Sequence, residues 1–167
     1  IDATVSEEFG KFKSINLKGK QIAVAVGSRG IVQQPLVVKA LIRELREVGA
    51  IPFIIPAMGS HGGGNAAGQE AVLTGYGVTD EQMGAPVRSS MDVVELVKLE
   101  DGTPIYCDKL AHEADFIIPI NRIKPHTDFR AEHESGLIKM LAIGLSKHAG
   151  ATALHFHGMG NFHTIIP

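Results

Sequence analysis

The residues best able to move protons or attack a carbonyl near neutral pH concentrate in the stretch 124–144, KPHTDFRAEHESGLIKMLAIG. His126 follows a Lys-Pro pair, and Lys139 lies inside the apolar run 137–141. An apolar pocket disfavours the charged form of a lysine, so the pKa of its amine falls and a neutral nucleophile becomes available. Lys139 is therefore a candidate nucleophile or a buried positive charge for phosphate. The alternative is a lysine whose amine extends to solvent.

Polar turns follow three apolar stretches of the chain, residues 21–26, 51–58 and 116–120, each of which is typical of a buried strand. The turns read GSRG, GSHGGG and NRIKPH. Ligands of an open α/β sheet bind beyond the carboxyl ends of its strands. If the strands are parallel, one crevice receives four side chains from these turns: Arg29, His61, Lys124 and His126. The alternative is a tight turn before a helix for GSRG, a flexible surface loop for GSHGGG, and a solvated basic loop for NRIKPH. The glycines lack the G-x-G-x-x-G spacing, which argues against dinucleotide binding.

The remaining patterns alternate with these strands. Helical spacing predicts helices over 32–48, ended by Gly49, and over 65–75, 135–145 and 148–155. The stretch 93–107 contains Asp101-Gly102 between two extended runs and predicts a β-hairpin. Asp108 is a candidate cap for a short helix ending at Ala114. We therefore expect one α/β domain over 1–167, with a mainly parallel sheet flanked by helices and a hairpin insertion.

Composition excludes several classes of function. The net charge of −2 gives no basic surface for nucleic acid. No apolar run approaches the roughly 18 residues of a membrane span. Cys107 is the single cysteine, which fits a reducing compartment, and we expect a cytoplasmic protein. The chain opens on Ile1 and ends in an apolar stretch, so we expect a second domain beyond it.

Three histidines lie close together in HFHGMGNFH, at His155, His157 and His163. The two rings of an H-x-H pair share a face only in an extended segment, because on a helix they diverge by roughly 200°. The segment has no partner cysteine and no H-E-x-x-H motif, so its spacing does not favour a zinc site. A single imidazole ligand to a transition metal such as nickel is the better interpretation.

Four segments together resemble the N-terminal domain of the nickel-dependent lactate racemase family: GSRGI, PAMGSHGG with Gln69 after it, NRIKPHTDF and ESGLIKMLAIGLSKHAGA. The resemblance runs from about Gln21 onward. It implies a Rossmann-like N-terminal domain of a two-domain α/β protein, with the active site between the domains. It also implies a nickel-pincer nucleotide cofactor and a small 2-hydroxy acid substrate.

The resemblance assigns a role to particular residues. The lysine that binds the cofactor covalently falls on Lys139, and the histidine that completes nickel coordination falls on His155, with His157 as the alternative. The two histidines that act as general base and acid fall on His61 and His126, and the arginine for the substrate carboxylate falls on Arg29. Further contacts with the cofactor are expected from four residues: Ser28, Lys124, Ser135 and Gly136.

The sequence also departs from the family pattern. Lactate racemases have D-x-T-R where this chain has Gly27-Ser28-Arg29-Gly30, and Gly-Gly where it has Gly136-Leu137-Ile138. The resemblance therefore implies a divergent racemase or epimerase that acts on another 2-hydroxy acid by hydride transfer. The alternatives are a phosphate- or nucleotide-binding module without catalysis, and a metal-dependent hydrolase that uses the histidines.

Overall fold

The structure, a computed structural model, describes residues 1–12, 14–122 and 136–156. Its elements in chain order are α1 Asp2–Phe9, a 3₁₀ turn Gly10–Phe12, β1 Gln21–Val26, α2 Gln34–Glu47, β2 Ile51–Pro56, a 3₁₀ turn Gly62–Gly64, α3 Ala66–Gly75, α4 Asp80–Met83, β3 Val93–Lys98, β4 Pro104–Asp108, α5 Lys109–Glu113, β5 Phe116–Ile120, α6 Leu137–Lys139, a π-helical segment Met140–Gly144 and α7 Lys147–Phe156.

A parallel sheet in the order β2–β1–β5 forms the centre of the described structure. Val26, the last residue of β1, is in register with Pro56 of β2 and Ile120 of β5. The three strands therefore end at the same level. The structure confirms the predicted α/β fold with a parallel sheet, and the polar turns follow strand ends that lie side by side.

β1 and β2 are buried on both faces after their first residue, which explains why they are continuously apolar. β5 lies at the edge of the sheet and is only half-buried, with Phe116 38% exposed, so the prediction of a buried strand over 116–120 was wrong in its burial. On one face, side chains of β1 such as Val24 pack with Val38 and Ile42 of α2 and with Leu73 of α3. On the other face, alternate residues pack with Ala111, Met140 and Leu145, which belong to α5 and the segment after α6. Since burying such side chains is the main favourable term in folding, this layered core fixes where the strand ends lie.

The hairpin and its cap also form as predicted. β3 and β4 pair antiparallel, and the turn between them contains Asp101 and Gly102, whose φ is +85°. Asp108 Oδ1 accepts hydrogen bonds from the backbone N–H of Leu110 at 2.7 Å and of Ala111 at 3.2 Å. Asp108 thus starts α5 in the manner expected of an N-cap residue.

Two helix predictions were wrong in detail. Helix α2 begins at Gln34, because Gln33 adopts a left-handed φ of 59° that interrupts helical winding, and Val32 is 90% exposed. The helix expected over 135–145 is instead one α-helical turn followed by π-helical winding. Gly144 at the end of that segment accepts a hydrogen bond from Gly59 N at 3.1 Å, so its carbonyl bonds to a neighbouring loop.

Within the described residues, no helix combines the length and apolar character that crossing a bilayer requires.

Candidate functional site

The turn after β1 carries Ser28, which is half-buried, and Arg29, which is exposed. Two side chains hold this turn. Gln34 is 3% exposed, accepts from Ile31 N at 3.3 Å and donates its Nε2–H to Gly27 O at 3.5 Å. The hydroxyl of Tyr76, just after α3, donates a hydrogen bond to the carbonyl of Ser28. The turn is therefore fixed from α2 and from α3.

The loop after β2 carries His61. Its path requires left-handed backbone at Gly62, where φ is +64° and an added Cβ would lie 2.7 Å from the main chain at Gly68 and Gln69. Gln69 is fully buried and donates its Nε2–H to Gly59 O at 2.7 Å and to His61 O at 3.2 Å. The loop is thus packed tightly on the first turn of α3, and only glycine fits where the two backbones meet.

The two turns meet through a hydrogen bond between their side chains. Ser28 Oγ lies 2.5 Å from Nδ1 of His61. The surrounding protein partly removes the hydration of His61, and this lowers the pKa of its imidazole below the ordinary value of 6.5. The positive charges of Arg29 and Lys139 lower the pKa of His61 further. His61 is therefore predominantly neutral at neutral pH and sits within reach of two cationic side chains.

Lys139 is the last residue of α6, and the π-helical segment that follows it contacts the residues after β2. Gly144 packs so closely on β2 that an added Cβ would lie 2.7 Å from Ala57 O, and its carbonyl binds Gly59 in the His61 loop. Lys139 itself is half-buried, while Leu137 and Leu141 are 45% and 47% exposed. The run around Lys139 is thus less enclosed than predicted, because the single α-helical turn and the π-helical winding present part of it to solvent.

A family comparison matches the model of the lactate racemase N-terminal domain over residues 7–164 of this chain. The chain belongs to this family. A comparison with curated proteins gave no match. Membership confirms the family inferred from the four sequence segments, and three of the positions that carry the resemblance, Arg29, His61 and Lys139, are brought together in the structure.

The remaining candidate residues lie either outside the group of Arg29, His61 and Lys139 or outside the described residues. His155 is exposed in the last turn of α7. Gly136 is buried and starts α6 with a φ of +78°. Four candidates lie outside the described residues: Lys124, His126, Ser135 and His157. In the parts of the chain that the structure describes, no three His, Cys, Asp or Glu side chains are grouped so that they could hold a metal ion.

Among the described residues, Lys147 is a fully buried lysine, which the sequence patterns did not single out. Its Nζ donates to Pro56 O at 2.5 Å and lies 2.8 Å from Asp108 Oδ2, and both charged side chains are 0% exposed. Burial lowers the pKa of the Lys147 amine, and the Asp108 carboxylate opposes this effect. The pair joins the start of α7 to the end of β2, directly before the loop that carries His61.

Tyr76 was missed for a similar reason. Its hydroxyl bonds to the Ser28 carbonyl across 48 positions of sequence, and no local motif marks such a contact. The sequence predicted Asp108 only as a helix cap, and its burial, which requires a cationic partner such as Lys147, became visible only in the structure.

Proposed function

We propose that this domain forms part of a racemase or epimerase of a 2-hydroxy acid, which works with a nickel-pincer nucleotide attached to Lys139. One observation carries the proposal: the charges of Arg29 and Lys139 both act on His61 beyond the carboxyl ends of the parallel strands. Membership in the lactate racemase N-terminal domain family supports it. A second domain of the same protein is proposed to close the crevice over the substrate.

The residues present fit such a cofactor in two respects. Arg29 supplies positive charge for the carboxylate of a hydroxy acid, and Lys139 supplies the amine through which the cofactor would be attached. The pincer holds nickel through its own sulfur and carbon atoms, so the protein needs to add one ligand rather than a cluster. His155 is the residue proposed as this ligand.

When bound, the cofactor supplies an acceptor for the C2 hydride of the substrate. His61 takes the proton of the substrate hydroxyl, because its lowered pKa keeps the imidazole neutral near pH 7. Arg29 pairs with the substrate carboxylate through two parallel N–H groups and orients the molecule beside His61. His126, which lies outside the described residues, is proposed to return a proton on the opposite face.

The test is to load the full-length protein with cofactor by co-expression with cofactor-making enzymes and to measure its intact mass and nickel content. We expect a nucleotide-sized adduct in the wild type, none in Lys139→Met, and an unchanged adduct in Lys98→Met, a control at a lysine whose side chain is 62% exposed. Chiral chromatography of a panel of 2-hydroxy acids then measures racemisation. The proposal would be refuted if wild-type protein co-expressed with the cofactor-making enzymes carried neither the adduct nor nickel.

A nucleotide-binding module without catalysis is the second candidate, and the same pair of cations beside a neutral histidine favours it. It predicts nucleotide affinity that survives the double change Lys139→Met and His61→Gln, with no turnover of any hydroxy acid. A metal-dependent hydrolase stays an untested prediction, because His126, His157 and His163 lie outside the described residues.

A further inference from the structure

Of the two ring nitrogens of His61, the structure shows a hydrogen bond at Nδ1. Ser28 Oγ lies 2.5 Å from Nδ1, and Ser28 itself is tied to α3 by the hydroxyl of Tyr76. We propose that Ser28 accepts the Nδ1–H of His61, with Tyr76 as its support, so that Nε2 is the atom that exchanges protons with the substrate. This inference extends the proposed function. It depends on that proposal for the identity of the group that gives its proton to His61, which is the substrate hydroxyl.

The donor and acceptor in this bond follow from the chemistry of both groups. A serine hydroxyl has one hydrogen to donate and two lone pairs that accept. If Ser28 donated its hydrogen to Nδ1, the neutral ring would carry its proton on Nε2 and could not accept one there. On protonation of Nδ1 the hydroxyl would also have to rotate and become the acceptor, because both nitrogens of an imidazolium are donors. An Nδ1–H that donates to Ser28 Oγ persists in both charge states of His61, so the ring keeps its place throughout a proton transfer cycle.

With this direction of the hydrogen bond, Ser28 can accept from His61 and donate to another group at the same time. When its oxygen accepts from His61, its own hydrogen remains to donate to an anionic oxygen. Ser28 was expected to contact the cofactor, and a hydroxyl spent on Nδ1 could not do so as a donor. The inferred direction is therefore the one in which His61 serves as a base and Ser28 serves as a donor at the same time.

Helix α3 supports this bond from two sides although it contributes no reacting group. Near its start, Gln69 binds the carbonyl of His61 at 3.2 Å and fixes the backbone. Just after its end, Tyr76 binds the carbonyl of Ser28, and its ring lies 3.3 Å from where a Cβ at Gly30 would be. Tyr76 is therefore a positioning residue, and Ser28 positions His61 in addition to its expected contact with the cofactor.

The experiment reads the tautomer of His61 by long-range ¹H–¹⁵N NMR of the ¹⁵N-labelled 167-residue chain without cofactor, at a pH well above the His61 pKa. The His61 signals are assigned by their loss in His61→Gln. We expect a single Nδ1–H tautomer in the wild type and in Ser28→Thr, which keeps the hydroxyl. Ser28→Ala should give the mixed tautomers of a free imidazole, and Tyr76→Phe should give a partial loss of the single tautomer.

Ser60→Ala is the matched control, since Ser60 is exposed and adjacent to His61 in the same loop. It should leave the tautomer unchanged. A wild-type ring protonated mainly on Nε2, or a Ser28→Ala ring identical to wild type, would overturn the inference, and an unchanged Tyr76→Phe ring would remove Tyr76 from it. The measurement needs no cofactor, so its outcome is separate from the adduct on Lys139 that tests the proposed function.

Discussion

Replacing Lys147 by methionine tests whether the buried ion pair holds the site region together. Lys147 Nζ makes two buried contacts, 2.8 Å to Asp108 Oδ2 and 2.5 Å to Pro56 O. Methionine fills much of the same volume but leaves the Asp108 carboxylate charged, buried and without its cationic partner. Removing one partner of a buried pair costs about 3–5 kcal/mol of unfolding free energy, because the remaining charge is not solvated.

For a chain of this size, each kcal/mol lowers the melting temperature by about 2–4 °C. We therefore expect Lys147→Met to lower the melting temperature by about 6–20 °C. Differential scanning calorimetry and urea unfolding followed by circular dichroism measure the two quantities. Adding Asp108→Asn should recover part of the loss, because asparagine keeps the cap of α5 through its amide oxygen and removes the unpaired charge.

Lys109→Met is the matched control, since Lys109 follows Asp108 directly and its side chain is 52% exposed. We expect it to change the free energy of unfolding by less than about 0.5 kcal/mol, as surface substitutions do. The reasoning is refuted if Lys147→Met costs no more than Lys109→Met, or if the double variant with Asp108→Asn is less stable than Lys147→Met.

Three further predictions concern the turns of the site. Arg29→Gln should raise the pKa of His61 toward 6.5, because a neighbouring positive charge is removed, and an NMR titration that shows no rise would contradict this. Since the folded pKa of His61 lies below that of the unfolded chain, stability should fall as the pH drops below 6.5, and His61→Gln should flatten this part of the profile. Gly62→Ala should destabilise the domain by at least about 1–3 kcal/mol in urea unfolding, because φ is positive and the new Cβ meets backbone. Gly75→Ala has open space in a helix and should instead stabilise it by about 0.5–1 kcal/mol; equal effects of the two changes would refute this account.

The strands could be predicted from sequence because their signals are local. The run 21–26 is apolar after its first residue, which is typical of a strand covered on both faces, and the turn chemistry of Asp101-Gly102 selects a hairpin. The helix after Gly136 could not be predicted in the same way. Its π-helical winding ends where Gly144 bonds to Gly59, a partner that helical periodicity in the sequence does not contain.

The choice of lysine shows the same division. Sequence pattern drew attention to Lys139, because its neighbours in the chain are apolar, yet the side chain is half-buried and acts on His61 through its charge. Lys147 has a less apolar local sequence and is fully buried, because its surroundings come from β2 and β4 rather than from its own segment. Burial is a property of the assembled layers, so the neighbours of a residue in sequence predict it poorly.

The sequence by itself determined the strand and turn positions, the parallel α/β class and the family. It also determined that Arg29 and His61 lie in turns that directly follow strands. Tertiary structure alone decided how those residues are held: that Ser28 bonds to Nδ1 of His61, that Tyr76 bonds to Ser28, and that Lys147 bonds to Pro56. The physical reason is range. Strand and turn preferences act between near neighbours in the chain, whereas a hydrogen bond between distant segments exists only after the packing of the core has brought its donor and acceptor within about 3 Å.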